Sequence, residues 1–139
     1  MFSIEVREEE WGTVLVLRGE LDHDSVVQLD EAGRRVTAPG GGEGTVVADL
    51  AGLTFCDSSG VSALLRLYRA LEARHRGLEA RHRGLALAAV PPTVLRLFTL
   101  TGLDQIFPVH ADVHGALAAG RDTAPGAGAP ARQNGKETT

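Results

Sequence analysis

The residues of this chain best placed to do chemistry are Asp57-Ser58-Ser59-Gly60, where two hydroxyls stand between a carboxylate and a glycine. They follow an apolar run ending in Thr54-Phe55-Cys56 and precede apolar residues at helical spacing, Leu64, Leu65, Tyr68 and Leu71. The pattern predicts a buried strand, a tight turn and a helix whose first turn carries exposed hydroxyls. A serine at a helix start ordinarily caps it, because its oxygen accepts one of the backbone N–H groups that the helix leaves without a partner. One cap needs one hydroxyl, so a second serine is left without a structural duty. A second polar turn, Arg18-Gly19-Glu20-Leu21-Asp22 followed by Asp24 and Ser25, offers N-cap candidates for another helix.

Other chemistries are poorly supplied. A hydrolase nucleophile on a strand–helix turn needs Gly-x-Ser-x-Gly with a positioned histidine and acid. Ser58 and Ser59 lack that glycine spacing, and the five histidines fall in turns, in a repeated segment and near the C-terminus. No enzyme is expected. The loop Pro39–Gly44 is glycine-rich but lacks the Gly-Lys-Ser/Thr ending that binds phosphate and magnesium, so it reads as a linker and nucleotide binding gains no support. His75 and His82 are seven residues apart, not the close pairing typical of helical ligands, and no metal or other cofactor is expected. A net charge of −4 and 4% aromatic residues argue against a nucleic-acid partner. The lone Cys56 permits no intramolecular disulfide and reads as a buried, reduced, structural thiol. With no signal-peptide pattern and no apolar run near the roughly 20 residues that span a bilayer, the expectation is a soluble, cytoplasmic chain without a membrane partner.

The elements that must position the two turns can be read in order. Phe2–Arg7 alternates apolar and polar, Gly12 can turn the chain, and Thr13–Leu17 is β-branched and apolar, so a β-hairpin opens the fold. Val26, Leu29, Ala32, Gly33 and Val36 share one helical face. Thr45–Leu50 is a strand buried on both faces apart from Asp49. Leu85–Val90 is the next buried strand, and Pro91-Pro92 stops it. A short helix follows with Val94, Leu95, Leu97 and Phe98 inward, ended by Thr101-Gly102. Leu103, Ile106, Phe107 and Val109 read as a closing edge strand, and Ala111–Ala119 as a terminal helix. The 139 residues suit one domain, residues 1–120, with 121–139 a disordered Pro/Gly/Ala-rich tail. Alternating strands and helices require crossovers, which makes the central strands parallel beside an antiparallel hairpin edge. The ends of such strands, where both polar turns fall, are the usual functional rim.

One segment breaks the pattern. Leu71-Glu72-Ala73-Arg74-His75-Arg76-Gly77 recurs letter for letter as Leu78–Gly84, a tandem repeat of two helical turns. Leu64, Leu71, Leu78 and Leu85 can continue one stripe, but the stripe Val61, Tyr68, His75, His82 turns polar. The helix either overruns the sheet by about 10 Å or loops out after Gly77; the longer helix is the expectation.

Arg18-Gly-Glu-Leu-Asp22, the run Asp-Leu-x-x-Leu-x-Phe-x-Asp-Ser-Ser-Gly-Val over 49–61, and Val94-Leu-Arg-Leu-Phe98 with Thr101-Gly-Leu103 together resemble the STAS-domain anti-sigma factor antagonists, across roughly residues 2–120. The resemblance implies a single STAS-like α/β domain: a mixed, mostly parallel sheet with an N-terminal β-hairpin and helices packed mainly on one face. It implies a partner-switching phosphoprotein in transcription regulation. The unphosphorylated antagonist binds an anti-sigma factor serine kinase of the GHKL type and frees a sigma factor; phosphorylation switches binding off, and a PP2C-like phosphatase resets it. The implied acceptor is Ser58, with Ser59 in a capping or hydroxyl-support role, and Asp22, Asp57, Ser58, Ser59 and Gly60 forming the partner surface. Phosphate at a helix N-terminus is expected to meet free N–H groups and so disturb the fold little. The same fold also serves as a scaffold of stress-signalling complexes or a regulatory subunit of a lipid transporter, which remains the alternative.

Overall fold

A computed structural model of the chain describes residues 1–75 and 84–122. Its elements are β1 (Phe2–Glu9), β2 (Gly12–Leu21), α1 (Val26–Thr37), β3 (Thr45–Cys56), α2 (Ser58–His75), β4 (Leu85–Ala88), α3 (Pro92–Thr101), a 3-10 turn Leu103–Gln105, β5 (Val109–His110) and α4 (Val113–Asp122). The five strands form one sheet in the order β1-β2-β3-β4-β5. β1 and β2 pair antiparallel as the opening hairpin, and every later pair is parallel.

Side-chain alternation along the central strands divides the core between the two sheet faces. Leu15, Leu17, Val46 and Ala48 join Leu29, Val36, Leu64, Leu67, Leu71, Val94 and Phe98 in the larger cluster, beneath α1, α2 and α3. Val14, Val16 and Val47 point the other way, with Ala86 and Ala88, and are covered by Ala116, Leu117 and Val113 of α4. Three helices therefore lie on one face and one on the other. Tyr68 and Phe107 meet edge to face, with ring centroids 5.4 Å apart. The Arg121 guanidinium sits 4.3 Å from the centre of the Trp11 ring, fastening the end of α4 to the tip of the hairpin.

Several boundaries differ from the sequence expectation. β2 continues past Leu17 to Leu21, and β3 past Leu50 to Cys56, because the two strands go on pairing with each other through two register shifts. β4 pairs with β3 only from Val46 to Asp49, so the far ends of β2 and β3 project beyond the rest of the sheet. The expected closing strand is reduced to Val109-His110. Leu103 and Phe107 are buried from a 3-10 turn and loop, leaving Ile106 and Val109 partly exposed. Leu95 lies on the outer side of α3, not inward. α4 starts at Val113 and runs to Asp122, two residues into the expected tail. The rest of that tail, and residues 76–83 of the tandem repeat, lie outside the described residues.

Leu64 is fully buried and Leu100, on the outer side of α3, is 78% exposed. Leu64→Ala should lower unfolding free energy by about 2–5 kcal/mol, whereas Leu100→Ala should change it by less than about 0.5 kcal/mol. Urea denaturation of both variants checks the assignment of the α2 seam to the core.

Candidate functional site

The projecting ends of β2 and β3 carry the two polar turns side by side. Leu21 and Cys56 are register partners, and each is followed by an aspartate. The Asp57 N–H donates to the Leu21 carbonyl at 3.3 Å, tying the start of α2 to the end of β2. Gly60, in the first turn of α2, is buried against that same strand end. A Cβ there would stand 2.8 Å from both the Cys56 sulfur and the Leu21 oxygen. Glycine is thus required by close approach of helix to strand.

The cap of α2 is not a serine. One carboxylate oxygen of Asp57, Oδ1, accepts the N–H of Ser59 at 2.9 Å and the N–H of Gly60 at 3.1 Å. The Asp57 carbonyl takes the first intrahelical bond, from the Val61 N–H at 3.0 Å. Aspartate caps as well as serine does, with added favourable interaction between its charge and the helix dipole. The capping role expected of the serines therefore falls to Asp57, and Ser59 contributes its backbone N–H to the cap. Of the amides expected to be free for a phosphate, those of Ser59 and Gly60 are likewise already taken. Ser58, at the first helical position, is exposed, Ser59 is half-buried, and neither hydroxyl has a hydrogen-bond partner among the described residues.

The neighbouring turn is built on the same chemistry. Asp22 Oδ1 accepts the N–H groups of Asp24 and Ser25, each at 3.1 Å, and the Asp22 carbonyl accepts those of Ser25 and Val26. Ser25, buried at the N-cap position of α1, makes no side-chain cap bond. Its hydroxyl instead donates to the Glu20 carbonyl at 2.7 Å and accepts the Asp22 N–H at 2.9 Å. It closes the turn and fixes Asp22. The α1 and α2 helices that leave the two turns are joined by the Arg66 guanidinium, which grips both carboxylate oxygens of Asp30 at 3.0–3.2 Å.

The resulting rim is acidic, with Glu20, Asp22, Asp24 and Asp57, and carries no ion pair to these groups among the described residues. Two apolar side chains stand out beside it: Phe55, 48% exposed, one residue before Cys56, and Val27, 60% exposed, in the first turn of α1. Sequence reading named neither: Phe55 lies in an apolar run that looks like core, and Val27 stands next to Val26 but off the apolar face of α1. Chemically the rim offers the exposed Ser58 hydroxyl, an acidic border and apolar footholds, suited to binding a surface. Among the described residues no group of three or more potential metal-binding side chains occurs, and no helix is long and apolar enough to cross a membrane.

Behind the rim, burial and then the nearby Asp57 charge push the Cys56 thiol from its ordinary value of 9.0 up to about 12. The folded state holds this proton while the unfolded chain releases it. The thiol's contribution to stability is therefore fully present below pH 9 and is lost as pH rises from about 9 toward 12. Urea unfolding from pH 7 to 10.5 should show a decline that is shallower in Cys56→Ala. Removal of the cap by Asp57→Ala should cost about 1 kcal/mol, whereas Ser58→Ala should stay within about 0.5 kcal/mol of the parent in the same assay at pH 7.

Comparison with known proteins gives consistent matches. The family model described as "Mlab, STAS domain" matches residues 4–109. An anti-sigma F factor antagonist of Paenibacillus polymyxa is 33% identical over 121 residues, 83% of this chain and 93% of that protein. A crystal structure of an anti-sigma factor antagonist from Mycobacterium paratuberculosis superposes with a TM-score of 0.72 at 29% identity, covering 88% of this chain and 96% of that one. SpoIIAA, an anti-sigma factor antagonist, superposes in its unphosphorylated form with a TM-score of 0.68 at 28% identity, covering 84% and 95%. The phosphorylated form of the Bacillus SpoIIAA gives 0.63 at 27%, covering 84% and 98%.

Proposed function

The chain belongs to the STAS-domain family, and on that premise we propose that it acts as an anti-sigma factor antagonist switched at Ser58. Unphosphorylated, it binds an anti-sigma factor that is a GHKL-type serine kinase, and a sigma factor is released. The kinase moves the γ-phosphoryl group of ATP onto Ser58 Oγ, ADP leaves, the hydroxyl proton is lost, and the modified antagonist dissociates. A PP2C-like phosphatase hydrolyses the ester and restores the binding form. The partner surface comprises Asp22, Asp57, Ser58 and Ser59; Gly60, expected there from the sequence, is buried against Leu21 and Cys56 and supports that surface from beneath.

The observation that carries this reading is the position of Ser58: exposed, without a hydrogen-bond partner among the described residues, and on a rigid helix start beside the Asp22 turn. A hydroxyl so placed can enter a kinase active site without local unfolding. It can also be covered by a partner without leaving a strongly solvated group unsatisfied. Once phosphorylated it carries about −1.5 to −2 charges. A surface that fitted the neutral hydroxyl must then bury a dianion beside Asp57, and an uncompensated buried charge costs several kcal/mol. Matches to SpoIIAA in both phosphorylation states support the reading, as does the antagonist from Paenibacillus polymyxa.

Immobilised unphosphorylated protein should retain a GHKL-type kinase that the phosphorylated protein does not; retention of a transporter or scaffold subunit instead would favour the alternative use of the fold. Ser58→Asp should weaken binding to that kinase by at least about 100-fold, near 2.7 kcal/mol, with little change in Tm. An unchanged Kd in a folded Ser58→Asp protein would overturn the reading.

A further inference from the structure

We infer that Asp57 acts as a positioning residue that keeps the Ser58 phosphate off the helix: by holding the Ser59 and Gly60 amides itself, it leaves the phosphate standing in solvent. The inference deepens the proposed function and rests on Ser58 being the modified residue. The usual expectation for a phosphate at a helix start is capture by backbone N–H groups, which would draw part of its charge into the protein. Here two of those groups, the amides of Ser59 and Gly60, are occupied by a carboxylate at 2.9 and 3.1 Å.

Three features make displacement of Asp57 unfavourable. Its backbone is held on both sides, by its N–H to the Leu21 carbonyl and by its carbonyl to the Val61 N–H. Gly60 is buried against Leu21 and Cys56, so its amide is approached from the side that Asp57 covers. Ser58 follows the cap, and its side chain is exposed, so an attached phosphate can stay hydrated without contacting the cap.

The phosphate and the Asp57 carboxylate then remain two separate anionic groups on adjacent residues. The β2–α1 turn adds Asp22 and Asp24, with Glu20 at the end of β2; His23 is the titratable base of that turn, and no Lys or Arg is ion-paired to any of these carboxylates among the described residues. A mark displayed this way is read at full charge by a partner surface.

The test installs phosphoserine at position 58 by genetic code expansion, so it runs whether or not a kinase modifies that residue. Two-dimensional amide NMR and a 31P titration are then recorded on the full chain. The Ser59 and Gly60 amide resonances should lack the large downfield shift on phosphate ionisation that marks an amide bonded to the dianion. The second phosphate pKa should fall by about half a unit in Asp57→Asn, which still caps but removes one unit charge from the adjacent residue. His23 is common to both proteins and cancels in the difference. In Asp57→Ala, which frees the amides, the Ser59 and Gly60 resonances should acquire that downfield shift. A large downfield shift of the Ser59 or Gly60 amide on phosphate ionisation in the parent protein, or a phosphate pKa unchanged in Asp57→Asn, would overturn the inference. Phosphopeptide mapping after kinase treatment tests the acceptor separately: phosphate on Ser59 alone would sink the Ser58 assignment without touching the measurement above.

Discussion

The first turn of α2 meets the end of β2 with no room for a side chain, and the rest of the rim depends on that contact. At Gly60 a single added carbon would press on the Cys56 sulfur and the Leu21 oxygen. Because helix and strand touch there, the Asp57 N–H reaches the Leu21 carbonyl. Because Asp57 is pinned, its carboxylate lies over the amides of Ser59 and Gly60. Packing of the strand ends, the cap and the exposure of Ser58 are consequences of one short distance. A larger residue at position 60 would lift the helix start away from β2 and loosen all three together.

The same contact explains why the site sits on an overhang. β3 pairs with β4 over four residues but follows β2 to its end through two register shifts. Those shifts leave Leu50, Leu53 and Cys56 buried while Phe55 turns outward. The extended ribbon is stiffened by what leaves it: α1 and α2 depart from adjacent strand ends and are clasped by Arg66 and Asp30. A surface meant to meet another protein is thereby raised above the sheet while its backbone stays anchored in hydrogen bonds.

The element order was readable because periodicity carries it: a hairpin of alternating residues, continuous apolar strands, and helical stripes at Leu29, Ala32, Val36 and at Leu64, Leu71 were all visible as patterns. What periodicity could not show was the length of β2 and β3 or the loss of the closing strand. Leu103 and Phe107 are apolar and buried, as a strand would require, yet they reach the core from a 3-10 turn. The capping residue was misread for a different reason. Aspartate and serine are nearly equal as N-caps, so Asp57-Ser58-Ser59 allowed three starting points for the helix. Only the contact at Gly60, a tertiary fact, selects the first. Phe55 was hidden likewise, since exposure of an apolar residue within an apolar run depends on how the strand twists.

Assigning the cap to Asp57 changes where a charge on Ser58 must be felt. Had a serine capped the helix, modification would have removed or rearranged a bond that holds the first turn, and the mark would have acted partly by altering this protein's own fold. With Asp57 holding the amides of Ser59 and Gly60, the cap bonds at the helix start do not involve the Ser58 side chain. The energetic consequence of a dianion there must then appear outside the domain, as desolvation and repulsion in whatever surface tries to cover it. Such an arrangement separates two demands that usually conflict at a regulatory site. Stability of the turn rests on a permanent carboxylate, and information rests on a neighbouring hydroxyl that can gain or lose charge without disturbing that carboxylate's bonds.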